Sequence, residues 1–311
     1  MRSRLLIAAL AVAVGLSLVV AACGDDDNGS DLSGTIRIDG SSTVGPMTEI
    51  AAELFREENP DVKVTVGISG TGGGFEKFCA KETDINDASR EIKDEEKDAC
   101  SKSGVDYDKV QVGNDGIAIV VNPDNDWAKC LTTDELKKIW DRGSSVNNWK
   151  DVRSDFPSQS MKLFGPGTDS GTFDFFTEKI NGEEGQSRSS YSPSEDDNVT
   201  VQGVAGGKGN LGYFGLSYAL ENSQRVKTVQ VDGGKGCVTP NTATVQDGSY
   251  TPLSRPLFIY PSAAALKREE VDEFVKFYVD NYQQIAEQAK FVPLTDSQAS
   301  EAKSTADSIA G

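Results

Sequence analysis

Gly165-Pro166-Gly167-Thr168-Asp169-Ser170-Gly171-Thr172 is a run of small and hydroxyl-bearing residues with one acid inside it. Residues of these types can hold an oxyanion. Hydroxyls and free backbone N–H groups donate to it, and glycine lets it approach the main chain. The apolar run Met161–Phe164 before the stretch reads as a strand. Phe173, Phe176 and Ile180 after it are spaced to share one face of a helix. The loop therefore joins a strand to a helix start, with Thr168 or Asp169 as the expected N-cap. The first turn would offer the N–H groups of Ser170, Gly171 and Thr172 at the positive end of the helix dipole. Taken alone, the pattern also fits an ordinary capped helix after a tight turn.

The same arrangement occurs twice more. Thr35–Asp39 alternates like a short strand and runs into Gly40-Ser41-Ser42-Thr43-Val44-Gly45-Pro46. Met47, Ile50, Ala51, Leu54 and Phe55 then mark an amphipathic helix. Val62, Val64, Val66 and Ile68 alternate with Lys63, Thr65 and Gly67, a strand pattern. It runs into the loop Ser69-Gly70-Thr71-Gly72-Gly73-Gly74, with a short helix carrying Phe75 and Phe78 expected next. The loop is not a P-loop, because the Lys-Ser/Thr ending is missing. Thr83–Ala88 reads as a further strand that ends at Ser89-Arg90, and Arg90 is the basic residue within these motifs.

What positions such loops is an alternation of strands and helices, which indicates an α/β fold with ligands at the carboxyl ends of the strands. Ile117–Val121 reads as an apolar strand, Leu211–Gly215 and Leu257–Tyr260 as two more, and Val271 to Tyr282 as a long amphipathic helix. Trp127, Trp140 and Trp149 are assigned to packing, and Ser187–Asn198 to a long loop.

The chain has 311 residues, enough for two lobes. It has no histidine, which removes Ser-His-Asp and Cys-His nucleophile systems and disfavours a catalytic zinc site. The net charge of −18 argues against nucleic acid and anionic membrane as partners. It does not exclude a small anion. Surface charges are screened beyond roughly 8 Å at physiological salt, whereas each local hydrogen bond to a charged group contributes about 1.5–3 kcal/mol.

Arg2 and Arg4 precede an apolar run from Leu5 to Ala22, followed by Cys23. This is the pattern of an export signal over residues 1–22. The Ala21-Ala22-Cys23 junction resembles a lipobox, which would make Cys23 the lipidated first residue of the mature chain. An uncleaved anchor helix is the alternative. Residues 23–33 are acidic and polar and read as a flexible tether. Cys79, Cys100, Cys130 and Cys237 remain, an even number that suggests two disulfides in an exported chain. No metal site is expected from them, since they have no CxxC spacing.

Taken together, the motifs resemble the phosphate-binding lipoproteins of bacterial phosphate ABC transporters. The likeness rests on Asp39-Gly40-Ser41-Ser42-Thr43-Val44 with Pro46, on Ser69–Phe75, on Asp87-Ala88-Ser89-Arg90 and on Thr168–Thr172, and extends from about Thr35 to the C-terminal helix. It implies a two-lobed, type II periplasmic-binding-protein-like fold with the ligand in a cleft between lobes joined by crossover strands. Lobe I would comprise residues 34–119 and 256–311, and lobe II residues 120–255. On that division Cys79–Cys100 and Cys130–Cys237 are the favoured pairs of the three pairings open, because each stays inside one lobe. The resemblance further implies phosphate ligands at Ser42, Thr43 and the Val44 N–H, at Thr71, and at Ser170, Gly171 and Thr172. Ser89 and Arg90 would add from the strand end. Some members carry an arginine shortly before the last loop; here Pro166 and Gly167 stand there, which leaves Arg90 to supply the charge. Asp87 and Asp169 are the candidates to accept the ligand's proton.

The expected function is that of an extracytoplasmic, lipid-anchored, monomeric solute-binding protein. It would capture inorganic phosphate and hand it to the membrane subunits of an ABC importer. No catalysis and no cofactor are expected. The alternatives are the same fold binding sulfate, molybdate or tungstate, a secreted phosphoester hydrolase using Ser170, or an adhesin that kept the fold.

Overall fold

The computed structural model describes residues 32–309 except Asp169 and Glu195. The expected export signal, Cys23 and most of the tether lie outside the described residues. Among the described residues, no helix is long and apolar enough to cross a membrane.

Three parallel strands begin the first lobe: β1 (Gly34–Gly40), β2 (Val62–Ile68) and β3 (Ile85–Ala88). β1 lies between the other two, with Ile38 opposite Val66 on one side and Ile85 on the other. The helices α1 (Gly45–Glu58), α2 (Gly70–Cys79) and α3 (Asp94–Ser103) follow the three strands in turn. All three strands end on the same side, so Ser41, Ser69 and Ser89 emerge together.

β4 (Val110–Val121) is twelve residues long and serves both lobes. Val110–Gly116 pairs with the last strand, β11 (Ser254–Pro261), which also pairs with β3. Ile117–Val121 pairs instead with β8 (Leu211–Gly215) and, over its last three residues, with β9 (Lys227–Asp232). β6 (Leu163–Gly165) runs parallel to β8, and β7 (Ser192–Pro193) lies on β6. β5 (Cys130–Thr132) and β10 (Cys237–Val238) both pair with β9. β4 and β11 are therefore the crossover strands.

The hydrophobic cores follow this division. Ile36, Met47, Phe55, Leu257, Phe274 and Tyr278 belong to one cluster, and Phe75, Phe78, Ala88 and Tyr260 to a satellite beside it. Trp140, Trp149, Phe176 and Tyr213 belong to the other. Trp127 packs against that second core, as expected of a packing residue. Cys79 is bonded to Cys100, tying α2 to α3, and Cys130 is bonded to Cys237, tying β5 to β10.

Three expectations need correction. The strand expected at Ile117–Val121 reaches back to Val110, through Gly113-Asn114-Asp115-Gly116. Those residues look like a turn but are held extended by β11. Their glycines admit neighbours: a Cβ on Gly116 would lie 2.5 Å from Val245, and one on Gly113 would lie 3.0 Å from Met47. The glycine-rich stretch after Ser69 is not a loop but the first two turns of α2. A Cβ on Gly74 would overlap Asn86 and stand 2.5 Å from the Gly40 Cα, so this glycine serves close packing of helix on sheet. The long helix expected through Tyr282 breaks at Asn281 into Glu269–Asp280 and Tyr282–Gln288, and a further helix spans Asp296–Ile309.

Candidate functional site

A cleft of about 670 Å³ lies where the strand ends of the two lobes meet. From the first lobe it is lined by Ser41, Ser42 and Thr43, by Ser69 to Gly73, and by Ser89, Arg90, Glu91 and Lys93. Gly171, Asp174, Phe175, Glu178, Lys179 and Glu184 line it from the second lobe, and Arg255 and Pro256 from the crossover strand β11.

The loop before α1 folds on the Ser41 hydroxyl. Its Oγ accepts the N–H groups of Thr43 at 3.2 Å and Val44 at 3.4 Å, and the Ser41 N–H donates to the Asp87 carbonyl at 2.9 Å. The expected Val44 donor is thus turned to Ser41, and Val44 itself is buried. The hydroxyls of Ser42 and Thr43 remain at the cleft wall. Below them Asp39 braces the next loop. Its Oδ1 accepts the N–H of Ser69 at 3.1 Å and also the Ser69 hydroxyl, while Oδ2 takes Lys77 at 2.6 Å. Burial pushes the Asp39 carboxyl up, but the bonds from Lys77 and Ser69 outweigh it and hold the group below the usual range.

Thr71 stands in the first turn of α2. Its Oγ1 accepts the Ser89 N–H at 3.2 Å and shares a hydrogen bond with the Ser89 hydroxyl at the same distance. The two expected residues are thereby brought together across strand ends. Arg90 also lines the cleft, but its fork is taken. Nη1 and Nη2 donate to the two Glu96 oxygens at 2.9 and 2.7 Å, and Nη1 reaches the Glu91 carbonyl at 3.0 Å. That pairing, with Glu96 also capping α3 through the Lys93 N–H at 2.8 Å, raises the Arg90 pKa and fixes its position.

From the second lobe, the helix Gly171–Phe176 is capped by Ser170, not by Thr168, and Asp169 lies outside the described residues. Ser170 Oγ accepts the Thr172 N–H at 3.2 Å, and the Ser170 N–H donates to Gly167 at 3.3 Å. Of the three N–H donors expected here, Gly171 alone has no hydrogen-bond partner among the described residues. The difference is physical: a serine one position nearer the helix spends its own hydroxyl on the first turn.

Asp87 is also corrected. β3 alternates, and Asp87 shares the face of Ile85, which packs in the first core, while Ala88 faces α2. The Asp87 carboxyl is fully buried near Thr48 and Tyr278, away from the cleft, and burial pushes its pKa up to about 8. Of the four carboxylates that line the cleft, Glu91, Asp174, Glu178 and Glu184, Asp174 stands in the helix that starts at Gly171, and burial pushes its pKa up to about 6, with Glu184 adding and Arg255 opposing.

Arg255 was missing from the sequence reading. It stands opposite Asp115 on the β4–β11 ladder, and Nε donates to Asp115 Oδ2 at 3.1 Å. Nη2 donates to Thr43 Oγ1 at 2.7 Å and to the Gly171 carbonyl at 3.3 Å, and the guanidinium lies 3.8 Å from the Phe175 ring centre. Burial lowers its pKa while Asp115 pulls the other way. The sequence signal was slight: one arginine before Pro256, and one aspartate 140 residues earlier. Among the described residues, no cluster of acids, cysteines or histidines is arranged to hold a metal ion.

Comparison with known proteins gives a consistent result. A family model described as a PBP superfamily domain matches residues 26–281. Protein SphX of Synechococcus elongatus is 45% identical over 262 residues, covering 83% of this chain and 77% of that protein. The phosphate-binding protein PstS of Staphylococcus saprophyticus is 41% identical over 303 residues, covering 96% and 93%. The crystal structure of a "possible phosphate binding protein" from Planctomyces limnophilus superposes with a TM-score of 0.86 at 47% identity, covering 90% of this chain and all of that one.

Proposed function

The chain belongs to the PBP superfamily, within the family of the PstS and SphX proteins, and from that premise we propose that it captures inorganic phosphate outside the cytoplasmic membrane and delivers it to the membrane subunits of an ABC importer. The observation that carries this reading is the convergence of donors from both lobes on one cleft. Ser42, Thr43, Thr71, Ser89 and Arg90 come from the first lobe, the Gly171 N–H from the second, and Arg255 from between them. Hydroxyl and N–H donors with two arginines suit an oxyanion.

The mechanism is capture by closure. The ligand meets one lobe first, and closure adds the donors of the other. Only a greater affinity for the closed form drives this. Micromolar binding needs about −8 kcal/mol, within reach of several charge-assisted bonds at about 1.5–3 kcal/mol each. Asp174 supplies the discrimination. At neutral pH phosphate retains a proton and sulfate does not, so an ionised carboxylate accepts a bond from one and repels the other. Catalysis forms no part of this reading: Ser170, the nucleophile a hydrolase would need, uses its Oγ to cap a helix. Lipid attachment at Cys23 and a monomeric state complete the proposal, the first from the Ala21-Ala22-Cys23 junction after an apolar run.

Isothermal titration with phosphate, sulfate and molybdate in turn tests the function. Micromolar or tighter phosphate binding, at least about tenfold stronger than sulfate, is expected. Equal or stronger binding of sulfate or molybdate would move the assignment to another oxyanion.

A further inference from the structure

Arg255 belongs to neither donor loop, yet it touches both. Thr43 Oγ1 comes from the first lobe and the Gly171 carbonyl from the second, and a single nitrogen, Nη2, reaches each. Its Nε is held by Asp115, the residue facing it on the other crossover strand. The guanidinium is thus anchored to the strands that join the lobes and not to either lobe.

Stability alone does not account for this placement. The Arg255 side chain is 11% exposed and that of Asp115 is 3%. A buried ion pair of this kind is commonly no more stabilising than apolar residues of the same volume. Pairing with Asp115 would already neutralise the arginine. The side chain nevertheless extends past Asp115 along the face of Phe175 to the cleft wall. Nη1 makes no hydrogen bond with the described residues. The same Gly171 whose carbonyl it holds carries the one N–H of the second lobe's helix start that has no partner among the described residues.

We propose that Arg255 is a ligand-contacting residue of the cleft, that Asp115 positions it, and that its reach to both lobes makes anion binding and lobe closure one event. The proposal rests on the oxyanion reading of the cleft. Nη1 donates to the anion, while Nη2 holds Gly171 against Thr43 so that the Gly171 N–H meets the same ligand. The bond to the Gly171 carbonyl requires the lobes to be together, so Arg255 favours the closed form. A lysine in its place would keep the charge but lose the fork that serves three partners at once.

The test is titration with orthophosphate together with small-angle X-ray scattering, with and without phosphate, on wild type, Arg255→Gln, Arg255→Lys and Asp115→Asn. Arg255→Gln should bind at least tenfold more weakly, and its phosphate-saturated form should remain more expanded than the wild-type complex. Arg255→Lys should fail to restore either property, and Asp115→Asn should fall between lysine variant and wild type. Should Arg255→Gln not fold, the lysine variant, which keeps the charge and the stem, decides. Wild-type affinity or full compaction in Arg255→Gln, or in Arg255→Lys where the glutamine variant is unfolded, would overturn the proposal and leave the phosphate reading intact. A wild-type chain that binds no orthophosphate would overturn that reading first and this proposal with it.

Discussion

Gly171 lies directly against Thr43 across the cleft: a Cβ on the glycine would overlap Thr43 Oγ1 and stand 2.9 Å from Ser42 Oγ. The glycine is therefore needed where the two lobes touch, and less so within its own helix, where alanine is the better former.

Gly171→Ala should weaken phosphate binding without destabilising the free protein. Overpacking costs about 1–3 kcal/mol, here only in the closed form, which is roughly a five- to 150-fold loss of affinity. Calorimetry and thermal melting of the ligand-free protein check both halves. Unchanged affinity would mean that the two loops separate when the ligand is bound.

Asp174 should make selectivity depend on pH. Its pKa of about 6 leaves it mostly ionised at pH 7.5 and mostly protonated at pH 5. A protonated carboxyl no longer repels sulfate, so the phosphate-to-sulfate affinity ratio should fall as pH drops across this interval. In Asp174→Asn the ratio should be low at neutral pH and should show a flatter pH profile. Competition titrations at the two pH values measure it, and a wild-type ratio in the variant would remove Asp174 from this role.

Asp87 makes a prediction about stability of unusual sign. Its folded pKa of about 8 lies above the ordinary 3.8. The folded state therefore binds more protons than the unfolded chain between these values, and stability falls there by about 1.4 kcal/mol per pH unit. The groups facing the carboxyl are Thr48 and Tyr278, with the Asp39 charge opposing its ionisation. Asp87→Asn lacks this slope. It should gain on wild type progressively from about pH 4 to pH 8, with its smallest advantage at pH 3. Urea unfolding at pH 5, 7 and 8 measures the gain. Parallel losses in both proteins would place the titration elsewhere.

The three donor loops were legible in the sequence because each announces itself locally: an alternating strand, a cluster of small and hydroxyl residues, then a helical pattern. Cys79–Cys100 and Cys130–Cys237 followed from an even count and the division into lobes. What local pattern could not carry was direction and distance. A four-residue strand with every residue buried gives no sign of which face Asp87 takes. Gly74 read as part of a loop because its role, contact with β1 and β3, is set by residues far off in the chain. Arg90 was found at the cleft, but nothing in the local pattern showed that its fork would be taken by Glu96, six residues on. Arg255 acquires meaning only beside Asp115, and that pair exists only because β4 runs on through Gly113–Gly116 to meet β11.

The position of β11 between β3 and β4 also bears on how the chain acquires its shape. The second core draws on residues 117–253 and one later residue, Val292. The first cannot close until the strand at 254–261 has arrived, since without it β3 and β4 both present bare edges. A chain that appears from its N-terminus thus delivers the opening strands of the first lobe early and their partner late. For that interval β1 to β3 are an unfinished sheet beside a second lobe that can already fold. The half of the cleft made first is the half completed last, and truncation before residue 254 leaves an edge ready to pair with another chain.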